Sequence, residues 1–300
     1  MSTALIISAS LPSTCNVICR AFFVDVLSSI ITSSKFSPWE LKELVLPVVA
    51  EETRVSSVDP ALQALEIAHA LAFRSGLGSS LFAPSHPSVT IDDVKSFATQ
   101  AFTKENIAIL GTGIDSTVLS KLAEKHLASL TETGTPTASA SKYFGGESRQ
   151  SVQSGLQTIF IGFGTTGASP AELAVLSAYL SPKPSVKWSA GTSPLSSVIP
   201  SGTSVQTVLL PYSDATLFGL LIQGETAEGV KEAAAASVKV LKDTSSSGSV
   251  KPEELKKAIV KAKFAAASSI ENREGFISTL GPQVGFIARQ YIFRYLISFW

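Results

Sequence analysis

Hydrophobic side chains in the first 130 residues recur mostly at helical spacing. Phe22, Val26 and Ile30 follow one another at intervals of four, which places them on one face of a helix. Ser37-Pro38 combines an N-cap residue with proline at the first helical position, so it predicts the start of a second helix. Further helices are predicted after the start signals Asp59-Pro60, Thr90 and Asp115, and the apolar run 106–110 predicts a short strand.

The chain after residue 151 begins with strand patterns and then returns to helices. Residues 157–164, QTIFIGFG, and the runs 203–213 and 215–225 predict strands. Tyr212-Ser213-Asp214 favours a hairpin between the last two. Helices are predicted for 171–180, 228–243 and 253–269. Because helices and paired strands are mixed rather than strictly alternating, the pattern predicts an α+β fold, with helices packed on one face of a mostly antiparallel sheet in each of two related modules.

Residues 131–151 separate these two patterns. The first eleven of them, TETGTPTASAS, carry no apolar side chain larger than alanine. Such a segment buries too little surface to offset the entropy lost on ordering. It therefore predicts an exposed linker between a first module in 1–130 and a second in 152–300, while a long surface loop within one domain remains the alternative.

Composition and charge narrow the classes of function. Hydrophobic residues make up 45% of the 300 residues and charged residues 16%, with a formal net charge of zero. This balance predicts a globular protein whose surface is extensively covered by partner subunits. Lys and Arg are scattered without a basic stripe, which gives nucleic-acid binding little support. Cys15 and Cys19 alone build neither a disulfide framework nor a zinc cluster.

Both ends of the chain are atypical. Residues 1–21 are apolar but lack the basic start of a signal peptide, and no run reaches the ~18 apolar residues of a membrane-spanning helix. Residues 284–300 are apolar around Arg289 and Arg294. They fit a buried element better than a membrane-surface helix, although the latter stays open.

An internal similarity suggests that the chain contains a duplicated module. Residues 24–42 and 238–256 are identical at eight of nineteen positions, at an offset of about 214 residues. Chance similarity in a serine-rich chain is the alternative. If the repeat is real, its length predicts roughly 70 further residues before Met1 and roughly 55 after Trp300 in a complete two-module protein.

Several blocks also carry a family resemblance, in the same order along the chain. They are FFVDVLSS, ELVLPVVAEE, ALEIAHALAFRSGLGSSLF, VKSFATQAFTKENIAILGTGID, SKYFGGESR and YSDATLFGLLIQG. These blocks resemble the pitrilysin/insulinase-type metallopeptidase family, in its fungal branch of mitochondrial ubiquinol–cytochrome c reductase core subunits. The resemblance covers 22–283 and leaves both atypical ends unmatched.

The resemblance implies a non-catalytic scaffold subunit without a cofactor or metal. It implies a peripheral place on the matrix side of the mitochondrial inner membrane, with the homologous core protein 1 and other respiratory-complex subunits as partners. The alternative is the substrate-binding, non-catalytic partner in a mitochondrial processing peptidase. A glycine-rich substrate loop would favour that role, and the corresponding candidate, Ser278–Gln283, has one glycine.

Catalytic and metal-binding motifs are missing from the sequence. The family's peptidase signature is H-x-x-E-H on one helix, whereas the three histidines, His69, His86 and His126, are widely spaced. Glu66 and His69 share a helix face, and packing is a better interpretation of them than half of a metal site. We therefore expect no catalytic, cofactor-binding or metal-binding residues.

Two glycine pairs imitate the start of a dinucleotide-binding motif. They are Gly111-Thr-Gly113 and Gly162-Phe-Gly164, each at the end of an apolar run. Neither continues with the required third glycine, and we interpret both as turn glycines. No G-x-S-x-G motif occurs, so a hydrolase nucleophile has no support.

Overall fold

The structure is a computed structural model. It describes residues 5–10, 17–84, 88–104, 106–112, 114–131, 140–151, 155–167, 171–183, 193–212, 214–246, 250–271, 275, 279 and 297–299. Two compact units are formed from alternating stretches of the chain. The first contains 1–47, 87–139 and 267–300, and the second contains 48–86 and 140–266.

The second unit is built around a three-stranded antiparallel sheet. Its strands are β3 (Gln157–Thr166), β4 (Thr203–Pro211) and β5 (Ala215–Gly224). Their order is β3-β5-β4, so β5 is central and is almost entirely buried. β4 and β5 form the predicted antiparallel hairpin, and the register pairs Leu209 with Phe218 and Ile161 with Leu220.

Helices cover both faces of this sheet. The second unit contains α4 (Pro60–Phe73), α7 (Ala171–Leu180), α8 (Ala227–Ser245) and most of α3 (Leu46–Val58) and α9 (Pro252–Glu271). One face packs against α7 and α8 through a core that includes Leu180, Leu220, Ile222, Val230 and Ala233. We call it the helical-pair face.

The other face packs against α4 and is called the α4 face. Its buried cluster consists of Ala72 and Phe73 from α4 with Ala215 and Leu217 from β5. The sequence analysis placed helices on one face only, and α4 adds a second layer. It does so because Ala215, Leu217 and Leu221 are apolar as well. Most of β5 is therefore apolar on both faces, and both faces need to be covered.

The first unit combines helices with short parallel strands. Its helices are α1 (Val17–Thr32), α2 (Pro38–Glu40), α5 (Ile91–Ala101) and α6 (Ser116–His126). A π-helical stretch, Leu41–Val45, connects α2 to α3. Strand β2 (Ile107–Thr112) lies between β1 (Leu5–Ser10) and β6 (Ile297–Phe299), parallel to both. None of the helices in the described part of the chain has the length and hydrophobicity of a membrane-spanning segment.

Helix starts follow the capping signals of the sequence. Asp59 accepts a hydrogen bond from the Ala61 amide at 2.8 Å, and Asp115 accepts one from the Thr117 amide at 2.8 Å. Thr90 and Asp93 form a reciprocal capping box. Hydrogen bonds from Thr90 lower the pKa of Asp93. The α+β class and the predicted helices are thus confirmed, while the division at 131–151 into two modules stays a prediction.

Candidate functional site

The Glu66–His69 spacing lies on α4 and faces the β4–β5 turn. Asp59 is the N-cap of α4, and Pro60 is its first residue, so the helix begins directly after the cap. The spacing of three residues then puts both side chains on one face. The His69 Nε2 atom lies 2.6 Å from the Tyr212 hydroxyl, and its Nδ1 atom lies 2.6 Å from the Leu65 carbonyl oxygen.

These two contacts assign the tautomer of His69. A carbonyl oxygen only accepts hydrogen bonds, so Nδ1 carries the proton and donates it to Leu65. In the neutral ring Nε2 is then the acceptor, and Tyr212 donates to it. The ring also meets Tyr212 edge-on, with centroids 5.8 Å apart. His69 is therefore a fixed element of packing with both nitrogens already engaged.

Glu66 makes a hydrogen bond to a residue outside α4. Its Oε2 atom accepts a hydrogen bond from the Leu81 amide at 3.3 Å. Across the described part of the chain, no group of three or more His, Cys, Asp or Glu side chains is arranged to hold a metal ion. His69 packs against Tyr212, and the expectation that α4 holds no metal-binding residue stays a prediction.

The electrostatics of the site keep Tyr212 in its neutral, donating form. Burial raises the pKa of the Tyr212 phenol, and the negative charge of Glu66 raises that pKa further. Both effects disfavour the phenolate. The phenol thus remains the hydrogen-bond donor that His69 Nε2 requires over the ordinary pH range.

The β4–β5 turn connects several parts of the second unit. The backbone amide of Tyr212 donates to the Ala215 carbonyl at 2.8 Å, and the Gly167 amide donates to the Asp214 carbonyl at 2.7 Å. The Asp214 carboxylate accepts a hydrogen bond from the Ser141 amide at 2.8 Å. The turn is therefore hydrogen-bonded to α4, to the end of β3 and to the start of the segment 140–146.

That segment, which the sequence assigned to an exposed linker, makes specific contacts. Phe144 donates its backbone amide to the Ala72 carbonyl at 2.7 Å. The Arg74 guanidinium lies 4.3 Å from the centre of the Phe144 ring. Arg74 itself has φ 56° and ψ −66°, and Ser75 N–H donates to Phe73 O at 2.7 Å, which defines a strained γ-turn. Residues 132–139 lie outside the described residues.

The glycines interpreted as turn residues lie inside strands, which corrects the sequence analysis. Gly162 and Gly164 belong to β3, and Gly111 belongs to β2; Gly113 lies outside the described residues. A Cβ on Gly162 would be 2.6 Å from the Phe160 ring, and one on Gly219, its partner across the ladder, would overlap the same ring. A Cβ on Gly164 would overlap the Tyr143 ring. These glycines leave space for aromatic rings on the α4 face.

The remaining sequence candidates are separate from this site. His126 Nδ1 lies 3.0 Å from an Asp25 carboxylate oxygen, in the first unit. His86 and Cys15 lie outside the described residues, as does the Cys19 side chain. The candidate substrate loop Ser278–Gln283 also lies outside them, apart from residue 279. Sequence reasoning missed Tyr143 and Phe144 as packing residues, although they were the only aromatic side chains in a polar segment.

Comparison with known proteins identifies the family. Residues 88–261 match the family described as "Peptidase M16 inactive domain". The chain is 42% identical over 269 residues to cytochrome b-c1 complex subunit 2, mitochondrial, of Cryptococcus neoformans. That alignment covers 87% of this chain and 61% of the relative. The corresponding protein of Yarrowia lipolytica is 35% identical over 88% of this chain and 63% of its own length.

A solved structure supports the same fold. A chain of complex III2 from Candida albicans, with Inz-5 bound, superposes with a TM-score of 0.73 at 15% sequence identity. The match covers 90% of this chain and 66% of that chain. The present chain thus spans about three fifths of the curated relatives that it matches. The resemblance seen in the sequence is confirmed, and the chain belongs to the peptidase M16 family, in the group described by the inactive-domain model.

Proposed function

We propose that this chain is a non-catalytic core subunit, of the core protein 2 type, in mitochondrial ubiquinol–cytochrome c reductase. The observation that carries the proposal is the 42% identity, over 87% of this chain, to a fungal cytochrome b-c1 complex subunit 2. The subunit would support assembly and stability on the matrix side of the inner membrane during electron transport from ubiquinol to cytochrome c. Its partners would be the homologous core protein 1 and the other subunits of the complex.

The surface of the chain supports a role in assembly. Many large apolar side chains are exposed in the described residues, among them Phe22, Ile30, Trp39, Phe97 and Phe264. Isolated surface apolar residues are ordinary, but so many large ones are typical of a protein that covers them with partners. Among the described residues, His69 of α4 is engaged in hydrogen bonds with Leu65 and Tyr212.

Affinity purification of the tagged full-length chain from mitochondria tests this function. The b- and c-type haem absorbance of the respiratory complex should co-purify with the chain in a fixed ratio. Purification with a zinc-bearing related subunit and peptide-hydrolysing activity, without haem, would instead support a processing peptidase and contradict the proposal.

Metal content gives a second, independent measurement. We expect elemental analysis to find no stoichiometric zinc and no change in a His69→Ala variant. About one tightly held zinc per chain, lost in that variant, would show that α4 carries a metal site and that the non-catalytic assignment is wrong.

A further inference from the structure

The C-terminal end of α4 and the segment 140–146, which we call the clasp, hold each other in place. Phe144 donates its backbone amide to the Ala72 carbonyl at 2.7 Å. Carbonyl groups in the last turn of a helix have no partner within the helix, so the clasp supplies one. The Arg74 guanidinium lies 4.3 Å from the centre of the Phe144 ring. One residue of the clasp therefore contacts both the last turn of α4 and the residue that follows the helix.

Two further contacts attach the clasp to the sheet of the second unit. The Ser141 amide donates to the Asp214 carboxylate at 2.8 Å, and the charge of this acceptor strengthens the hydrogen bond. The Tyr143 ring occupies the space that Gly164 leaves on β3. The side chain of Lys142, between these contacts, is exposed. The clasp is thus held at a few points rather than by a packed core.

The backbone of Arg74 is strained where the clasp holds it. Arg74 has φ 56° and ψ −66°, and the Ser75 amide donates to the Phe73 carbonyl at 2.7 Å in a γ-turn. A residue with a Cβ atom adopts this conformation only at a cost in free energy, so the conformation persists where surrounding contacts maintain it. The contacts from Phe144 are of this kind, because they lie on both sides of the strained turn.

We propose that the clasp is a conformational device that opens as one unit with the end of α4, while the sheet stays folded. Detachment of Phe144 removes the partner of the Ala72 carbonyl and the support of the Arg74 turn in the same step, so Arg74 relaxes. Little apolar surface is lost, because Tyr143 is already 41% exposed, whereas β5 is almost entirely buried. Segments with few buried contacts open at a lower free energy than the core. This inference is independent of the proposed respiratory function.

Native-state hydrogen exchange of the purified full-length chain, read by NMR at low urea concentrations, tests the proposal. The amides of Ser141, Phe144 and Ser75 should exchange through one common opening equilibrium, at least about tenfold more populated than the opening of β5. Phe144→Ala should raise the opening constant about fivefold at Ser141 and Ser75, because the ring contact is lost. Unchanged protection of β5 shows that this variant is folded. Lys142→Ala, in the same segment, is the matched control and should change none of these values.

Two substitutions at Arg74 isolate the strain. In the Phe144→Ala background, Arg74→Gly and Arg74→Ala both remove the guanidinium, but glycine alone adopts a positive φ without a steric cost. The opening constant at Ser141 and Ser75 should therefore be about threefold smaller with Arg74→Gly than with Arg74→Ala.

Three results would overturn the proposal. They are exchange of Ser75 at an opening constant unrelated to that of Ser141, exchange of all the clasp amides only together with β5, and equal opening constants for the two Arg74 variants. Should Phe144→Ala fail to fold, the comparison of Ser141, Phe144 and Ser75 with β5 in the unmodified chain still decides whether the clasp opens as one unit.

Discussion

The two faces of the second unit's sheet are built by different means. The helical-pair face consists of close-packed aliphatic side chains, with Leu220 and Ile222 fully buried. The α4 face has glycines at Gly162 and Gly219, and the ring of Phe160 occupies the space above them. At its rim, the His69–Tyr212 hydrogen bond connects α4 to the β4–β5 turn.

The difference between the two faces shows that the central strand β5 supports two kinds of packing. On the helical-pair face stability comes from apolar volume, so we expect it to respond to the loss of side-chain atoms. On the α4 face, stability comes from the space that glycines leave for aromatic rings and from the His69–Tyr212 hydrogen bond. We expect that face to respond to added atoms and to the loss of a hydrogen-bond donor.

Truncation of Leu220 tests the helical-pair face and should have the largest effect. Leu220→Ala removes a fully buried side chain and should lower the free energy of unfolding by about 3 kcal/mol. Urea denaturation of the full-length chain measures this change. The control Leu220→Met conserves volume and should cost less than about 1.5 kcal/mol. Similar small losses in both variants would show that this face is loosely packed.

Addition of a methyl group at Gly219 tests the α4 face. A Cβ there would lie 2.7 Å from the Ile161 carbonyl oxygen and would overlap the Phe160 ring. Gly219→Ala should therefore lower the free energy of unfolding by about 2 kcal/mol, measured by the same denaturation. Gly145→Ala is the control, because no atom lies within 4 Å of its Cβ position, and it should stay within about 0.5 kcal/mol of the unmodified chain. Equal tolerance at both positions would contradict the proposed role of the glycine.

Removal of the Tyr212 hydroxyl should have a smaller effect. Tyr212→Phe keeps the ring but leaves His69 Nε2 without its donor, which should cost about 1 kcal/mol because the site is only half-buried. Its pH dependence provides a check. Burial raises the pKa of Tyr212, so the stabilisation from this group is fully present below the unfolded pKa of about 10 and is lost as the pH rises through the folded value. The difference in the free energy of unfolding between the unmodified chain and Tyr212→Phe should therefore shrink at alkaline pH. A constant difference would contradict the assignment of Tyr212 as the donor to His69.

Local signals predicted much of this fold. Caps at Asp59, Thr90 and Asp115 begin helices where the sequence placed them, and the polar turn after residue 211 joins a hairpin. Such signals act within a few residues, so a single sequence contains them in full.

Contacts between distant residues were not predictable in the same way. His69 and Tyr212 are 143 residues apart, and no local pattern specifies that they meet. The glycines of β3 were assigned to turns because their ring neighbours could not be foreseen: Gly164 faces Tyr143, from a segment whose composition indicated a linker. The low apolar content of residues 131–151 indicated only that the segment as a whole buries little surface. Tyr143 and Phe144 alone are enough to attach its second half to the second unit.

The smallest effect should have the opposite sign and concerns the end of the helical-pair face. Thr165 and Thr216 are directly paired across β3 and β5, and within the described residues neither side-chain hydroxyl has a hydrogen-bond partner. Thr216 is fully buried, so its hydroxyl has lost hydration without compensation. Thr216→Val replaces the hydroxyl by a methyl group of similar shape and should raise the free energy of unfolding by up to about 1 kcal/mol. Thr158→Val, at a partly buried position near the other end of β3 where the hydroxyl accepts a hydrogen bond from Gln223, should bring no such gain. Destabilisation by Thr216→Val would mean that the hydroxyl is satisfied in solution, and that this end of the apolar face is wetter than the aliphatic packing around Leu220 implies.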